Sequence, residues 1–369
     1  MACLVVIVSA MVWVVTYHPD DLQIEQVVCL DDAPLIKPGQ KLKILTWNVQ
    51  YMAGKNYVFW YDLLDRPGPD ERPSSADIAS TLSAVARVIK DEDPDIILLQ
   101  EVDDGARRTD YEDQLEKLLA LLPKAYVCHT SAFYWKASFV PHPRIMGSVG
   151  MKLSTISKYK IGEAKRHQLA RIPKDPITRQ FNLKRAILEA RFPQTDGKTL
   201  AALNVHLDAF AQGTRTMEQQ VEQTVALLKK LSQEGLNWII GGDFNLLPPG
   251  GAYDRLVESE KKYYNADTEI AVIFRLFRGI PGLKEVRGPE YNKWFTHFPN
   301  KESITRPDRT IDYIFISNDI QLGDYHVRQN DTFEISDHLP VVAELEISDH
   351  LPVVAEGIIR NGGRTTGTS

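Results

Sequence analysis

The chain has 369 residues, of which 43% are hydrophobic and 25% charged, a composition typical of a globular protein with a substantial core. Its net charge of −6 argues against a general nucleic-acid binder, because such proteins need an excess of Lys and Arg to displace counterions. Cys3, Cys29 and Cys128 form no CxxC motif and have no His at zinc spacing, which argues against a zinc site. Cys29 and Cys128 can pair in an oxidising compartment, but their spacing alone does not decide it.

The first 17 residues carry no charge, and residues 4–15 are almost wholly apolar. The basic residues that precede a secretory signal are absent, and no small-residue cleavage site follows the apolar stretch convincingly. We therefore expect residues 1–17 to be a membrane anchor or uncleaved signal, with a cleaved signal or a buried N-terminal strand as alternatives. An anchor would place the protein at a membrane or outside the cytoplasm. Residues 18–40, which contain three prolines, are expected to be a linker.

From residue 41 onward, short apolar runs alternate with amphipathic helical patterns, which indicates strands packed under helices. Strands are predicted at residues 42–47, 95–99, 147–154, 183–190, 200–205, 238–240, 311–316 and 339–345, and helices around 78–89, 115–122 and 217–231. Ser74 and Ser75 are the candidate N-caps of the first helix. No long Ser- or Gly-rich linker divides residues 41–347, so we expect one domain there and a tail over residues 348–369.

Three further segments stand out by composition. Residues 133–139 (FYWKASF) fit core or loop packing, with base stacking or contact with a lipid interface as the functional alternative. Between Lys158 and Arg191 there are ten Lys or Arg residues and three acids, which fits a solvated face or, alternatively, a rim that faces phosphate. Residues 317–331 are predicted to be a polar loop.

Polar residues follow the predicted strands at positions that a core would not favour. They are Asn48 (LTWNVQ), Gln100 and Glu101 (LLQEV), Asn204, His206 and Asp208 (NVHLD), Asp243 and Asn245 (GGDFN), Asp312 (TIDYIF), and Asp337 with His338 (SDHLP). Each alone has an ordinary explanation, such as a turn cap or a surface carboxylate. Together they predict one polar cleft, because independent surface residues would not fall on so many strand ends.

The residue types in this cleft favour hydrolysis of a phosphoester. Carboxylate and amide oxygens without thiolates suit a hard ion such as Mg²⁺, with Mn²⁺ as the alternative ion. Asp243 is expected to hold water and Asn245 the phosphate, while the two histidines donate to non-bridging oxygens as negative charge grows. Neither a GxSxG motif nor a P-loop is present, which favours direct attack by water over a covalent intermediate.

The motifs TWNVQ, LLQEV, NVHLD, GGDFN, IDYIF and SDHLPVV, in this order, resemble the endonuclease/exonuclease/phosphatase superfamily, which includes deoxyribonuclease I, exonuclease III and neutral sphingomyelinases. The resemblance covers about residues 41–347. It implies an α/β fold, a four-layer sandwich of two face-to-face β-sheets flanked by helices.

The same resemblance implies a role for each matching residue. Glu101 would be the principal Mg²⁺ ligand, supported by Asn48 and Asp337. The catalytic residues would be His206 for phosphate stabilisation, Asp243 for water with Asn245 beside it, and His338 with its carboxylate partner Asp312. Asp243 and His338 both remain candidates for the general base. Arg179 and Arg185 are further candidates for phosphate contact.

The resulting hypothesis is a Mg²⁺-dependent phosphoesterase of the phosphodiesterase or nuclease type, associated with a membrane through residues 1–17. Its substrate would be a nucleic acid or a phospholipid head group, and no protein partner is inferred. A sphingomyelinase-like phospholipid phosphodiesterase is the first alternative, and a catalytically silent phosphate-binding module is the second. The segment before Asp312 (TRPDRTID) lacks the Trp-Cys-Asp-Arg pattern of inositol 5-phosphatases, which argues against that subgroup.

The decapeptide ISDHLPVVAE occurs twice, at residues 335–344 and 347–356, and only one copy can fill one site. His338 follows Asp312 by 26 residues, enough for a strand, a loop and a return. The second copy adds twelve residues, from 338 to 350, with nothing evident to absorb them. We therefore predict that His338 serves the site and that Asp349 and His350 lie beyond the domain.

Overall fold

The computed structural model describes residues 2–55, 57, 73–209, 211–300 and 304–347, with side chains described from residue 9 onward. Within these ranges the strands are β1 (Leu22–Ile24), β2 (Val27–Cys29), β3 (Lys41–Asn48), β4 (Ile96–Asp103), β5 (Cys128–Val140), β6 (Gly147–Ser157), β7 (Glu163–Gln168), β8 (Ala186–Pro193), β9 (Thr199–His206), β10 (Asn237–Asp243), β11 (Arg278–Ile280), β12 (Asp312–Ile316), β13 (Ile320–Val327) and β14 (Val341–Ile347). The helices are α1 (Ala2–Val15), α2 (Ser75–Glu92), α3 (Gln114–Leu121), α4 (Thr178–Phe181), α5 (Thr216–Gln233), α6 (Ala252–Arg255), α7 (Glu258–Lys261), α8 (Ala271–Leu276) and α9 (Leu283–Arg287).

The strands form two mixed sheets that pack face to face. The first sheet has the order β1-β7-β8-β9-β10-β12-β11, and the second has the order β13-β14-β3-β4-β6-β5-β2. One buried apolar cluster joins Ile44 and Leu98 of the second sheet to Phe192, Ile239 and Ile314 of the first. This cluster is the central core of the domain.

Helices cover the outer faces of both sheets, because successive side chains of a strand point in opposite directions. Leu45, next to the inward Ile44, packs outward with α2 and α3. Leu203 and Ile240 likewise pack outward against α5 and α8. The four layers are helix, sheet, sheet and helix, which confirms the predicted α/β sandwich. Helix α2 begins after the predicted N-cap Ser74, whose side chain forms a reciprocal capping box with Asp77.

Residues 18–40 differ from the expected linker, because they contribute a strand to each sheet. β1 pairs with β7, with Leu22 opposite His167, and β2 pairs with β5, with Cys29 opposite Cys128. Cys29 and Cys128 are joined by a disulfide, which resolves the pairing that their spacing left open. The two strands are only three residues long, too short for an alternating pattern to distinguish them from a loop.

Two other segments also form strands. β5 runs through the aromatic segment 133–139, where Tyr134 and Trp135 are buried, so core packing accounts for most of that cluster. β13 lies within residues 317–331, which were predicted to be a polar loop. It is an edge strand that pairs with β14 and exposes much of its length. Polar residues are tolerated on such a strand, and they conceal it from a search for apolar runs.

The N-terminal helix α1 ends against the last residues of β5. Thr16 forms a β-bridge with Ala137, and His18 Nε2 lies 3.0 Å from the carbonyl oxygen of Trp13. The rings of Trp13 and His18 stack with centroids 3.6 Å apart. The residues that join α1 to the sheet are therefore held by these contacts. No helix among the described residues is long and apolar enough to cross a membrane.

Glu25, which follows β1, should make stability depend on pH. Burial raises the pKa of Glu25 from 4.5 to about 7, although Arg166 acts in the opposite direction. Because the pKa of Glu25 is higher in the folded chain than in the unfolded chain, its protonation stabilises the folded chain. This contribution is complete below pH 4.5 and is lost as the pH rises through about 7. We expect Glu25→Gln to exceed wild type in free energy of unfolding by about 1 kcal/mol near pH 8, after allowance for partial exposure, and to match it near pH 4. Urea unfolding at both pH values measures this, and equal stabilities near pH 8 would contradict it.

Candidate active site

The ends of the central strands bring the predicted site residues to one edge of the two sheets. In the first sheet Asp243, at the end of β10, is paired with His206 of β9 on one side and Asp312 of β12 on the other. In the second sheet Asn48 ends β3, beside the β4 segment that carries Glu101. β3 and β4 are parallel, as are β9 and β10, so their carboxyl ends open at the same edge of each sheet.

Asp243 is the centre of the cluster and is almost completely buried. Its Oδ2 atom accepts hydrogen bonds from Asn48 Nδ2 at 3.1 Å and Asn245 Nδ2 at 3.3 Å. The Nε2 atoms of His206 and His338 lie 3.2 and 3.6 Å from the same oxygen. Oδ1 accepts from the backbone N–H of Asn245 at 2.9 Å. Five nitrogen atoms thus hold this carboxylate in one orientation between two imidazoles.

The electrostatic surroundings of Asp243 bring its pKa close to neutral. Burial raises the pKa of Asp243 to about 7, His338 acts against this rise, and Asp312 adds to it. A base with a pKa near the working pH is suited to accept a proton from water.

His338 is held by Asp312 and carries charge. Its Nδ1 donates to the two carboxylate oxygens of Asp312 at 2.9 and 3.0 Å. Burial alone would lower the pKa of His338, but Asp312 and Asp243 overcome this and raise it well above its ordinary value. His338 is therefore an oriented imidazolium, able to donate to a developing anion.

His206 is the neutral counterpart of His338. Burial, Arg185 and His338 together hold the pKa of His206 well below its ordinary value. A neutral ring that donates from Nε2 to Asp243 has an acceptor at Nδ1, which lies 3.3 Å from the Tyr134 hydroxyl. The Asp243 carboxylate, which can only accept, favours the tautomer with its proton on Nε2, and the Tyr134 hydroxyl can then donate to Nδ1.

Glu101 and Asp337 both line the cleft and influence each other electrostatically. Burial raises the pKa of Asp337 to about 7, His338 acts against this rise, and the charge of Glu101 adds to it. Two carboxylates in one buried cleft repel each other, and a bound divalent ion would offset both the repulsion and the desolvation. Asn48 donates from Nδ2 to Glu101 Oε1 at 3.1 Å, so in this arrangement it orients the carboxylate. The donor set fits a hard divalent cation.

Imidazole and carboxylate atoms also converge elsewhere in the cleft. Among the described residues, ligand atoms of Asp243, Asp312 and His338 lie within 4.8 Å of one another, as do those of His297, Asp337 and His338. His338 belongs to both groups and is already bonded to Asp312.

The backbone is strained at two of the functional positions. Glu101 has φ of 56° and Asn245 has φ of 52°, in the left-handed region that residues other than Gly seldom adopt. Glu101 also lies where the pairing of β4 with β6 shifts register between Leu99 and Val102. Such conformations cost about 1–3 kcal/mol each and persist at sites where the surrounding structure fixes them.

The two arginines predicted to contact phosphate occupy different places. Arg185 lies inside the cleft, where its Nε donates to Asp208 Oδ1 at 3.2 Å and Gln220 holds the same carboxylate from the other side. Arg185 Nη1 is buried without a hydrogen-bond partner among the described residues, so it has a donor to offer a bound anion. Arg179 is exposed on α4 at the mouth of the cleft.

Two buried amides from the same motifs join the sheets. Gln100 Nε2 donates to Asn204 Oδ1 at 2.7 Å, and Asn204 Nδ2 donates to the backbone oxygens of Leu99 and Ser154. These contacts tie the strand of Glu101 to the strand of His206.

His297 lines the cleft but was not found from the sequence. Its ring lies 4.3 Å from that of His338, and its Nδ1 atom is buried without a partner among the described residues. His297 belongs to an irregular segment bridged to Arg309 and His338, and no strand pattern marks it. His297 stands within the aromatic segment YNKWFTHF, and that sequence context alone does not indicate a role.

The cleft has a volume of about 660 Å³, enough for a substrate larger than one phosphate group. Its floor contains Glu101, His206, Asp243, Asp337 and His338. Of the two copies of the repeat, the first supplies Asp337 and His338 to this floor, whereas Asp349 and His350 lie outside the described residues.

Solved structures share this fold at low sequence identity. An endonuclease/exonuclease/phosphatase protein from Beutenbergia cavernae is 19% identical, with a TM-score of 0.56 over 84% of this chain and 72% of that one. A protein of the same description from Bacteroides vulgatus is 17% identical, with a TM-score of 0.51 over 84% and 100%. The catalytic domain of human nocturnin, with bound sulfate, is 17% identical, with a TM-score of 0.50 over 87% and 97%.

No curated protein matches the sequence of this chain. The model of the endonuclease/exonuclease/phosphatase family matches residues 45–350, most of the chain. This match confirms the resemblance that the six motifs indicated. Members of the family hydrolyse phosphoester bonds, which agrees with a cleft that gathers the Asp243 carboxylate and two histidines. The chain belongs to the endonuclease/exonuclease/phosphatase family.

Proposed function

We propose that this chain is a Mg²⁺-dependent phosphodiesterase of the nuclease type that hydrolyses its substrate by direct attack of water. The observation that carries the proposal is the environment of Asp243, a buried carboxylate with a raised pKa between a neutral and a charged imidazole. This arrangement supplies a proton acceptor and two donors within one hydrogen-bonded cluster.

Each residue has a step in this mechanism. Asp243 holds the attacking water, assisted by Asn245, and accepts its proton as the water oxygen bonds to phosphorus. The bond from phosphorus to the leaving oxygen breaks, and the leaving oxygen takes a proton from solvent. His338 donates to a phosphoryl oxygen while Asp312 stabilises the imidazolium. His206 donates from Nε2, and Arg185 Nη1 neutralises part of the phosphate charge. With Asp243 in the role of base, His338 remains protonated throughout.

Glu101 and Asp337 would hold the Mg²⁺ ion, or Mn²⁺, with Asn48 orienting Glu101. The ion would supply Lewis-acid polarisation of a phosphoryl oxygen and stabilisation of the leaving oxygen.

Membrane association through residues 1–17 is part of the proposal, as is a location at a membrane or outside the cytoplasm. The apolar helix α1 supports the first, and the disulfide between Cys29 and Cys128 supports the second, because such bonds persist in oxidising compartments.

A sphingomyelinase-like phospholipid phosphodiesterase is the second candidate. The observation in its favour is the mouth of the cleft, which combines the apolar Val140, Ile145 and Ile177 with the cations Lys174 and Arg179. A polar head group with an apolar stem would satisfy both kinds of contact.

Glu101→Gln in the full chain tests the metal requirement. We expect kcat on bis(p-nitrophenyl) phosphate to fall by about a hundredfold or more, because the amide cannot offset the charge of a divalent ion. Mg²⁺ should also raise the melting temperature of wild type, and raise that of Glu101→Gln much less. The melting measurement reports ion binding without turnover.

Chelation separates the proposal from a silent phosphate-binding module. EDTA should abolish turnover, and added Mg²⁺ or Mn²⁺ should restore it. If wild type shows no turnover of plasmid DNA, RNA, sphingomyelin or phosphoinositides with Mg²⁺, yet still binds phosphate in EDTA, the silent module is correct and the proposed activity is wrong.

A further inference from the structure

We propose that the mouth of the cleft rests on an anionic lipid bilayer. The surface concerned, the mouth surface, consists of the exposed residues of α1, of residues 136–146 at the end of β5 and its turn into β6, and of residues 171–179 before and in α4. The inference deepens the proposed function by naming the partner that the cleft faces, and it rests on that function only for its hydrolytic readout.

All three parts of the mouth surface are attached to the same end of β5. The helix α1 is joined to it at the bridge between Thr16 and Ala137, where Ser138 Oγ donates to the Val15 carbonyl oxygen at 3.4 Å. The helix α4 is held against it by Trp135 Nε1, which donates to the Phe181 carbonyl oxygen at 2.7 Å. Residues from the end of β5 and from 171–179 also line the cleft. Two parts of the mouth surface therefore border the cleft, and α1 adjoins them at the end of β5.

Large apolar side chains are exposed on all three parts. Trp13 and Val14 on α1 are 62% and 80% exposed, Phe139 and Met146 beside the turn are 40% and 50% exposed, and Ile177 is 58% exposed. Single exposed apolar residues need no explanation, but several on adjoining segments beside a cleft indicate a surface that a partner covers. Trp and Phe are favoured at the level of lipid head groups, where an aromatic ring meets both apolar and polar surroundings.

The charges of the mouth surface identify an anionic partner. Residues 136–146 and 171–179 contain five Lys or Arg residues and one acid, Asp175, so their net charge is +4, although the whole chain has −6. The Asp175 carboxylate is engaged within its own turn, accepting from the backbone N–H groups of Ile177 and Thr178. Residues 2–17 contain no charged side chain. Cations beside apolar side chains match the head groups and the apolar interior of an anionic leaflet.

The mouth surface is held in place, so contact with a bilayer would orient the cleft. Trp13, Thr16 and His18 form a compact elbow in which His18 Nε2 lies 3.0 Å from both the Trp13 carbonyl oxygen and Thr16 Oγ1. The turn is fixed by Arg107, whose Nη1 donates to the carbonyl oxygens of Ile145 and Met146. A flexible tether would leave the domain free to turn relative to α1, whereas this elbow fixes the end of α1 against β5.

Vesicle co-sedimentation of the full chain in EDTA, which prevents turnover, tests the inference. We expect wild type to bind phosphatidylcholine vesicles that contain 30 mol% phosphatidylserine, and to bind pure phosphatidylcholine at least tenfold more weakly. Lys136→Glu with Arg144→Glu should lower partition to the anionic vesicles at least tenfold. Val14→Ser with Phe139→Ser should weaken binding to both kinds of vesicle.

Lys124→Glu with Lys229→Glu is the matched control, because both lysines are exposed and Lys124 precedes the opposite end of β5. This control should bind as wild type does, and all variants should hydrolyse a soluble p-nitrophenyl phosphodiester at the wild-type rate. Equal binding of wild type to both vesicles, or wild-type binding by the Lys136 and Arg144 double variant, would overturn the anionic preference. No binding of wild type to either vesicle would overturn the inference and favour a protein or nucleic-acid partner. If wild type binds anionic vesicles but hydrolyses no phosphoester, the proposed function fails and the mouth surface stands.

Discussion

Asp243→Asn is expected to lower kcat on a phosphodiester by about a thousandfold or more, because an amide cannot accept the proton of the attacking water. In wild type, Asp243 Oδ2 accepts hydrogen bonds from N–H groups of Asn48, His206 and Asn245. An amide NH₂ group in place of this oxygen would point its hydrogens at these donors. Steady-state hydrolysis of bis(p-nitrophenyl) phosphate at saturating Mg²⁺ measures the loss, and near-UV circular dichroism checks that the fold is retained.

Asp254→Asn is the control for this prediction. Asp254 is an exposed acid on α6, so its replacement makes the same change of charge away from the cleft floor. We expect its kcat to equal that of wild type. An Asp243→Asn enzyme that keeps a tenth of wild-type activity would rule out Asp243 as the proton acceptor.

His338→Ala should lower kcat by about a hundredfold to ten-thousandfold, whereas His350→Ala should leave it unchanged. The first substitution removes the imidazolium that Asp312 orients and leaves that carboxylate buried without its partner. The two substitutions are a matched pair, since both histidines stand in the sequence ISDHLPVVAE. Parallel kcat measurements on the two variants and wild type decide which copy is used.

The outcome for His350 is informative because the family match extends to residue 350, so it includes the whole first copy and residues 347–350 of the second. If His350→Ala loses activity and His338→Ala does not, the second copy occupies the site. A variant with both substitutions should behave as His338→Ala alone if the prediction is correct.

The sequence predicted the fold class and the cluster of site residues because both depend on the carboxyl ends of strands. The apolar runs before Asn48, Glu101, His206 and Asp243 are central strands, and central strands carry strong patterns. Parallel pairing then brings their ends together at one edge. The clustering required no knowledge of loops.

The features that escaped prediction lie where the pattern is weak. Strands β1 and β2 are short, and β13 is a largely exposed edge strand, so neither kind shows a continuous apolar face. His297 is placed beside His338 by an irregular chain path, which depends on contacts distant in sequence. The distinction between Arg185 inside the cleft and Arg179 at its mouth likewise follows from tertiary packing alone.

Residues 18–40, which contribute one strand to each sheet, determine where the chain can be truncated. A chain cut at residue 41 would lose β1 and β2, the outermost strands at one edge of each sheet. β7 and β5 would then become edges with unpaired backbone groups, and Cys128 would lose its disulfide partner. Such a fragment invites edge-to-edge aggregation and intermolecular oxidation, so its failure to turn over substrate would say nothing about Asp243. Cleavage before residue 18 would remove the apolar helix and leave both sheets complete.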